Sequence, residues 1–164
     1  MRGGAFLRDG RRSYADVRIR AALAYRLFDF SSDQGIEADG PDLASSLVDL
    51  ARAVAHVVTD GSSVRPLAEK QIDVAGAGDV PGTAVAFVNE VVYLFDVEHF
   101  LVGGGELRAT TDAKGTLRVQ GRLLGETFDP SRHASGRGVK AATYHEATYT
   151  AEGGQHRLRV ILDL

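Results

Sequence analysis

The chain has 164 residues, 44% of them hydrophobic and 25% charged, with a formal net charge of −3 and no cysteine. That length and balance suit one globular domain with a core large enough to need no staples. The missing cysteines exclude a disulfide framework, a thiolate zinc site and a cysteine nucleophile, and the mild acidity gives no general attraction to nucleic acid or to an anionic membrane.

Residues 1–12 are rich in Arg and Gly and lack the apolar core of a signal peptide. With the ambiguous stretch that follows, residues 1–24 are expected to form a flexible extension without a function of its own. No apolar run approaches membrane-spanning length, so a cytoplasmic location without membrane contact is expected. Residues 25–30 read as a first strand, broken at Ser31-Ser32-Asp33-Gln34-Gly35 and resumed at 36–38. Gly40-Pro41-Asp42 ends it, with Asp42 as the N-cap of a helix or an acid in its first turn. Leu43, Leu47, Leu50, Val54 and Val57 then recur at three- and four-residue steps, which predicts an amphipathic helix to about Thr59.

Asp60-Gly61-Ser62-Ser63 is a turn, residues 64–74 alternate as a strand, and residues 75–82 form a Gly-rich loop. Ala84, Val88, Val91, Val92 and Phe95 mark a second helix ending near Glu98. Residues 106–112 and 115–124 read as one hairpin, and 140–151 with 157–162 as another. Helices early and hairpins late predict an α+β fold. It would be a single two-layer domain over residues 25–164, with two helices packed on a mostly antiparallel β-sheet.

Few of the possible sites carry a specific signal. Gly76-Ala77-Gly78-Asp79-Val80-Pro81-Gly82 has the spacing GxGxxxG, one residue off the dinucleotide fingerprint, and no βαβ unit surrounds it. It reads as a connection. There is no Walker motif and no nucleophile elbow. Of the five histidines, none pairs at the spacing of a helical zinc site, and His56 reads as a helix-face residue. The charged loop Gly125-Glu126-Thr127-Phe128-Asp129-Pro130-Ser131-Arg132-His133, followed by Val139-Lys140-Ala141 and Thr143-Tyr144-His145, carries more charge than a core segment needs. Its His133 and His145 suit a functional role as well as a solvated one. Asp33, beside Gly35, and Asp163, after Val160-Ile161-Leu162, are a turn-former and a chain-end acid taken singly. If the first and last strands are neighbours, Asp33 and Asp163 converge with the carboxylate of Leu164. Such an all-oxygen set selects a hard cation such as Ca²⁺, Mg²⁺ or Mn²⁺.

Taken in order, these blocks resemble the archease family. Phe28-Asp29-Phe30-Ser31-Ser32-Asp33-Gln34-Gly35-Ile36 is similar to that family's opening motif, usually acid-His-Thr-Ala-Asp-x-Gly-Ile. Phe87-Val88-Asn89-Glu90-Val91-Val92-Tyr93-Leu94 resembles its second-helix motif, the Gly125–His145 stretch its most characteristic block, and Leu162-Asp163-Leu164 its close. The likeness runs from about Tyr25 to Leu164. It departs at Phe30, where the family carries histidine; phenylalanine can neither ligate nor titrate.

The resemblance implies a small α+β accessory protein, itself no enzyme. It would promote guanylylation and repeated turnover of the RtcB-type, GTP-dependent RNA ligase that joins 3′-phosphate ends in tRNA splicing or RNA repair. RNA would be met only through that ligase. The resemblance also implies a divalent cation, Ca²⁺ first, on Asp33, Asp163 and Leu164. Lys140 would act beside it, and Glu126, Asp129 and His133 would shape the same surface. Two other readings of the same residues are a metal-dependent enzyme on a small phosphorylated substrate and a chaperone-like binding module for RNA-processing proteins.

Overall fold

The computed structural model describes residues 24–164, so nearly all of the extension expected at 1–24 lies outside the described residues. The elements run β1 (Tyr25–Phe30), β2 (Asp33–Gly40), α1 (Leu43–Thr59), β3 (Ala68–Ala75), α2 (Val80–Glu98), β4 (Phe100–Thr111), β5 (Leu117–Thr127), β6 (Ala141–Glu152) and β7 (Gln155–Asp163). This is the expected α+β fold, and its strands divide between two antiparallel sheets, β1-β2-β7-β6 and β3-β5-β4.

Local chemistry explains where the elements begin. Ser31 takes a left-handed φ of 53°, so Ser31-Ser32 reverses the chain as a two-residue hairpin turn. Asp33 therefore opens a returning strand, pairing with Phe30, and does not interrupt a continuing one. The Asp42 carboxylate accepts from the Ser45 N–H at 2.7 Å and fixes the start of α1. α2 starts earlier than its apolar stripe, because Asp79 caps the Gly82 N–H at 2.7 Å and Pro81 fits the first turn. β3 starts later than the alternation from Val64, since Pro66 has no N–H to donate to a ladder. Gly153 and Gly154, at φ 56° and 76°, close the β6–β7 hairpin.

The core is built where α1 meets both sheets. Leu47, Leu50, Val54, Ile36, Leu101, Val102, Leu158 and Leu162 are all buried, α1 packing on β2 and on β4. Each such aliphatic side chain contributes roughly 1.5–3 kcal/mol by leaving water. α2 contributes Phe87, Val88, Val91 and Leu94 and packs on β6. By length and composition α2 could cross a membrane, but half of that stretch is buried within the domain. The pairing that matters for the site is β2 with β7, from Gln34–Leu162 to Gly40–His156. It brings the first and last strands of the domain side by side.

Candidate functional site

The ladder assembles one end of the first sheet from distant parts of the chain. Gln34 pairs with Leu162, so the next step of the register sets Asp33 opposite Asp163. On the other side of β7, Asp163 pairs with Ala141, and the Lys140 N–H donates to the Asp163 carbonyl at 2.8 Å. Asp33, Asp163, Leu164 and Lys140 thus meet at one sheet end. Among the described residues, the side chains of Asp33, Lys140 and Asp163 make no ion pair or hydrogen bond, and Asp163 and Lys140 are exposed. With no side-chain partner among the described residues, these groups are available to a ligand. Phe30, where the resemblance expects histidine, has the ring of His145 edge-on at 6.2 Å. Among the described residues no three His, Cys, Asp or Glu side chains are grouped to hold a metal ion. A cation here needs a main-chain oxygen beside the two aspartates.

The other expected residues are gathered with one another. Glu126, at the end of β5 and 5% exposed, receives the Arg65 N–H at 2.9 Å, the Arg65 guanidinium at 3.0 and 3.1 Å, and Arg132 Nη1 at 2.6 Å. His133 Nε2 meets the same carboxylate at 3.1 Å. The tautomer follows from the other ring nitrogen. His133 Nδ1 lies 2.9 Å from the Asp129 N–H, which can only donate. Nδ1 therefore carries the lone pair, and Nε2–H donates to Glu126. Burial works against ionising Glu126, but the bonds from Arg132, Arg65 and His133 outweigh it and hold its carboxyl down to about 2. Asp129 takes the Ser131 hydroxyl and N–H, which hold its carboxyl below the usual range. A buried, neutral imidazole bonded at both nitrogens is a latch, not a free base. No ion pair or hydrogen bond among the described residues joins this cluster to Asp33, Lys140 or Asp163.

Three residues without an individual role in the sequence motifs, Arg137, Asn89 and Tyr144, hold the surroundings of the site. The Arg137 N–H caps the Val57 carbonyl at 2.9 Å, and its guanidinium reaches the Gln34 side chain at 2.9 Å. The loop after the Glu126 latch is thereby carried across the end of α1 to the neighbour of Asp33. Asn89 on α2 acts as a substitute strand for the edge of β6: its amide donates to the Ala142 carbonyl at 3.2 Å and accepts the Ala142 N–H at 2.8 Å. Tyr144 donates to the Asp79 carboxylate, the cap of α2. An Asn89→Leu variant is expected to lose about 1–2 kcal/mol, the cost of two bonds with one backbone pair left wanting. Chemical denaturation with amide exchange checks this, and exchange at Ala142 should quicken more than at β2.

Comparison with known proteins adds context to this geometry. Residues 25–164 match the family model described as "Archease protein family (MTH1598/TM1083)". The Protein archease of Sulfurisphaera tokodaii is 29% identical over 85% of this chain and 98% of its own length. That of Pyrococcus furiosus is 31% identical over 73% of this chain and 82% of its own. The solution structure of Methanobacterium thermoautotrophicum protein 1598 superposes with a TM-score of 0.69 at 26% identity, covering 87% of this chain and 99% of that one. A Thermotoga maritima crystal structure, titled an archease and possible chaperone, has a TM-score of 0.50 at 16% identity, covering 85% and 96%, a likeness of fold alone.

Proposed function

The chain belongs to the archease family, and from that premise we propose that it is a non-enzymatic activator of a GTP-dependent RNA 3′-phosphate ligase of the RtcB type. In this reading it works in the cytoplasm, promotes guanylylation of the ligase and restores it for repeated turnover in tRNA splicing or RNA repair. The observation that carries the reading is the meeting of Asp33, Asp163, Leu164 and Lys140 at one sheet end, without partners among the described residues. Two carboxylates and the main-chain oxygen of Leu164 form an all-oxygen set, which fits a hard divalent cation, Ca²⁺ first and Mg²⁺ or Mn²⁺ after it. Such a cation would supply positive charge for phosphate oxygens or for acidic groups of the ligase. Lys140 contributes a compact, mobile charge beside it. The Glu126 latch and Arg137 hold the loop that delivers Lys140.

The test is direct. The ligase and GTP are incubated with and without this protein, and the ligase–GMP adduct and the number of ligations per ligase are followed. More adduct and more than one turnover are expected. No change in either removes the proposal. Turnover of a small phosphorylated substrate by the isolated protein would favour the enzyme reading, and capture of many RNA-processing proteins in place of one ligase would favour the chaperone-like reading.

A further inference from the structure

Between α1, the turn after it and β4 lies a cavity of about 160 Å³, open to solvent, whose walls include Tyr25, Arg52, His56, Ser63, Val64 and Gly103. It shares no residue with the sheet end described above. We infer that this cavity is an anion site for a phosphate monoester, the group common to free phosphate and the terminal phosphate of a small nucleotide.

The lining is rich in donors. Arg52 gives only Nη1 to Asp49, at 2.8 Å, so Nε and Nη2 remain for a ligand among the described residues. Its guanidinium is steadied 5.4 Å from the centre of the Tyr25 ring. The Tyr25 hydroxyl meets His56 Nδ1 at 3.2 Å. In the tautomer in which the phenol donates to Nδ1, Nε2–H of His56 is left for the cavity. The Ser63 hydroxyl and the N–H groups of Ser63 and Val64 bond to no described residue. Glycine allows the close approaches that shape the rim: a Cβ at Gly103 would lie 2.8 Å from the Val64 carbonyl, and one at Gly61 3.1 Å from His56 Nε2.

One force opposes an anion here. α1 ends beside the cavity, and its C-terminal carbonyls carry partial negative charge. Those carbonyls are engaged elsewhere. The N–H groups of Gly61, Ser62, Gly136 and Arg137 bond to His56, Thr59, Val58 and Val57 at 2.9 to 3.1 Å. What faces the cavity is thus several donors and one guanidinium half-neutralised by Asp49. That combination selects a compact group with many acceptor oxygens over a simple halide, through hydrogen-bond count more than net charge.

The test titrates the purified full chain calorimetrically with inorganic phosphate, adenosine 5′-monophosphate and adenosine, while the ring ¹⁵N signals of His56 are followed. Phosphate and the monophosphate should bind saturably and move His56, and adenosine should not bind. Arg52→Gln and His56→Phe should each weaken phosphate binding roughly tenfold or more, the loss of a charge-assisted or buried hydrogen bond. Asp163→Asn should leave it unchanged. Tighter binding of the monophosphate than of phosphate assigns a nucleotide as the source; equal binding assigns free phosphate. Should Arg52→Gln fail to fold, His56→Phe decides alone, since one ring replaces another. No saturable binding by the wild type overturns the site. So does phosphate binding that survives His56→Phe, or adenosine bound as well as its monophosphate.

Discussion

Glu126→Ala is expected to lower stability by about 3 kcal/mol, the cost of breaking a buried ion pair. The carboxylate is 5% exposed, and four donor groups converge on it: the Arg65 N–H, the guanidinium groups of Arg65 and Arg132, and His133 Nε2–H. Removing it leaves His133, 3% exposed, with no acceptor for Nε2–H. Arg65 and Arg132 reach water and soften the loss, which keeps the figure from rising further. The wild type should also show an acid slope. The Glu126 carboxyl is held down to about 2 from an ordinary 4.5, so between these values the unfolded chain binds the proton and the folded chain does not. The contribution of the cluster is complete above about pH 4.5 and is lost as the pH falls toward 2. Denaturant titrations from pH 6 down to 2.5, at roughly half-unit steps, measure this. The variant should lie well below the wild type at pH 6, and the two curves should converge at the acid end. Curves that stay parallel across the whole range would mean that Glu126 is not the titrating partner.

The same cluster marks a limit of reading residues in line. Gly125 to His145 stands out in the sequence as a charged strand entry, and Glu126, Asp129 and His133 do lie together. What spacing cannot supply is the partner that reaches Glu126 from elsewhere in the chain. Arg65 comes from 61 residues away, in a stretch whose alternation reads as strand until Pro66 and the bond to Glu126 hold it out of the ladder. Glu37 is a sharper case. It sits in the resumed apolar run after Gly35 as one polar residue among several. In the structure it is 1% exposed and faces Arg26, Arg157 and Arg159 from the strands on either side. Only the register of β1, β2 and β7 makes that group visible. The start of α1 was legible because capping is local, Asp42 acting three positions away; that of α2 was not, because the glycines of 75–82 read as a loop and hid the Asp79 cap. Partition of the strands into two sheets was not legible either, since nothing within a strand says which neighbour it will take. The convergence of Asp33 with Asp163 depended on just such a choice, and the β2–β7 pairing supplies it.

Asp163→Asn is expected to abolish most of the stimulation of the ligase while leaving the fold intact. Asp163 is exposed at the end of β7, and its side chain bonds to no described residue. Substitution of such a group usually changes stability by no more than about 0.5 kcal/mol. A functional loss can then be read without a folding correction, which no substitution at Glu126 allows. If Asp163 and Asp33 hold the cation, Asn at either position should weaken Ca²⁺ or Mn²⁺ binding roughly 10–100-fold and cut ligase–GMP formation in step. Lys140→Met separates the two roles. Its N–H bond to the Asp163 carbonyl belongs to the backbone and survives the change. The variant should keep the cation affinity and still lose roughly tenfold in adduct formation, the worth of one charge-assisted contact. Calorimetry against each cation and single-turnover guanylylation provide the two readouts. Unchanged cation affinity in Asp163→Asn would break the ligand set. Unchanged guanylylation in Lys140→Met would leave the lysine as scaffold and move the contact with the ligase to another part of the same sheet end.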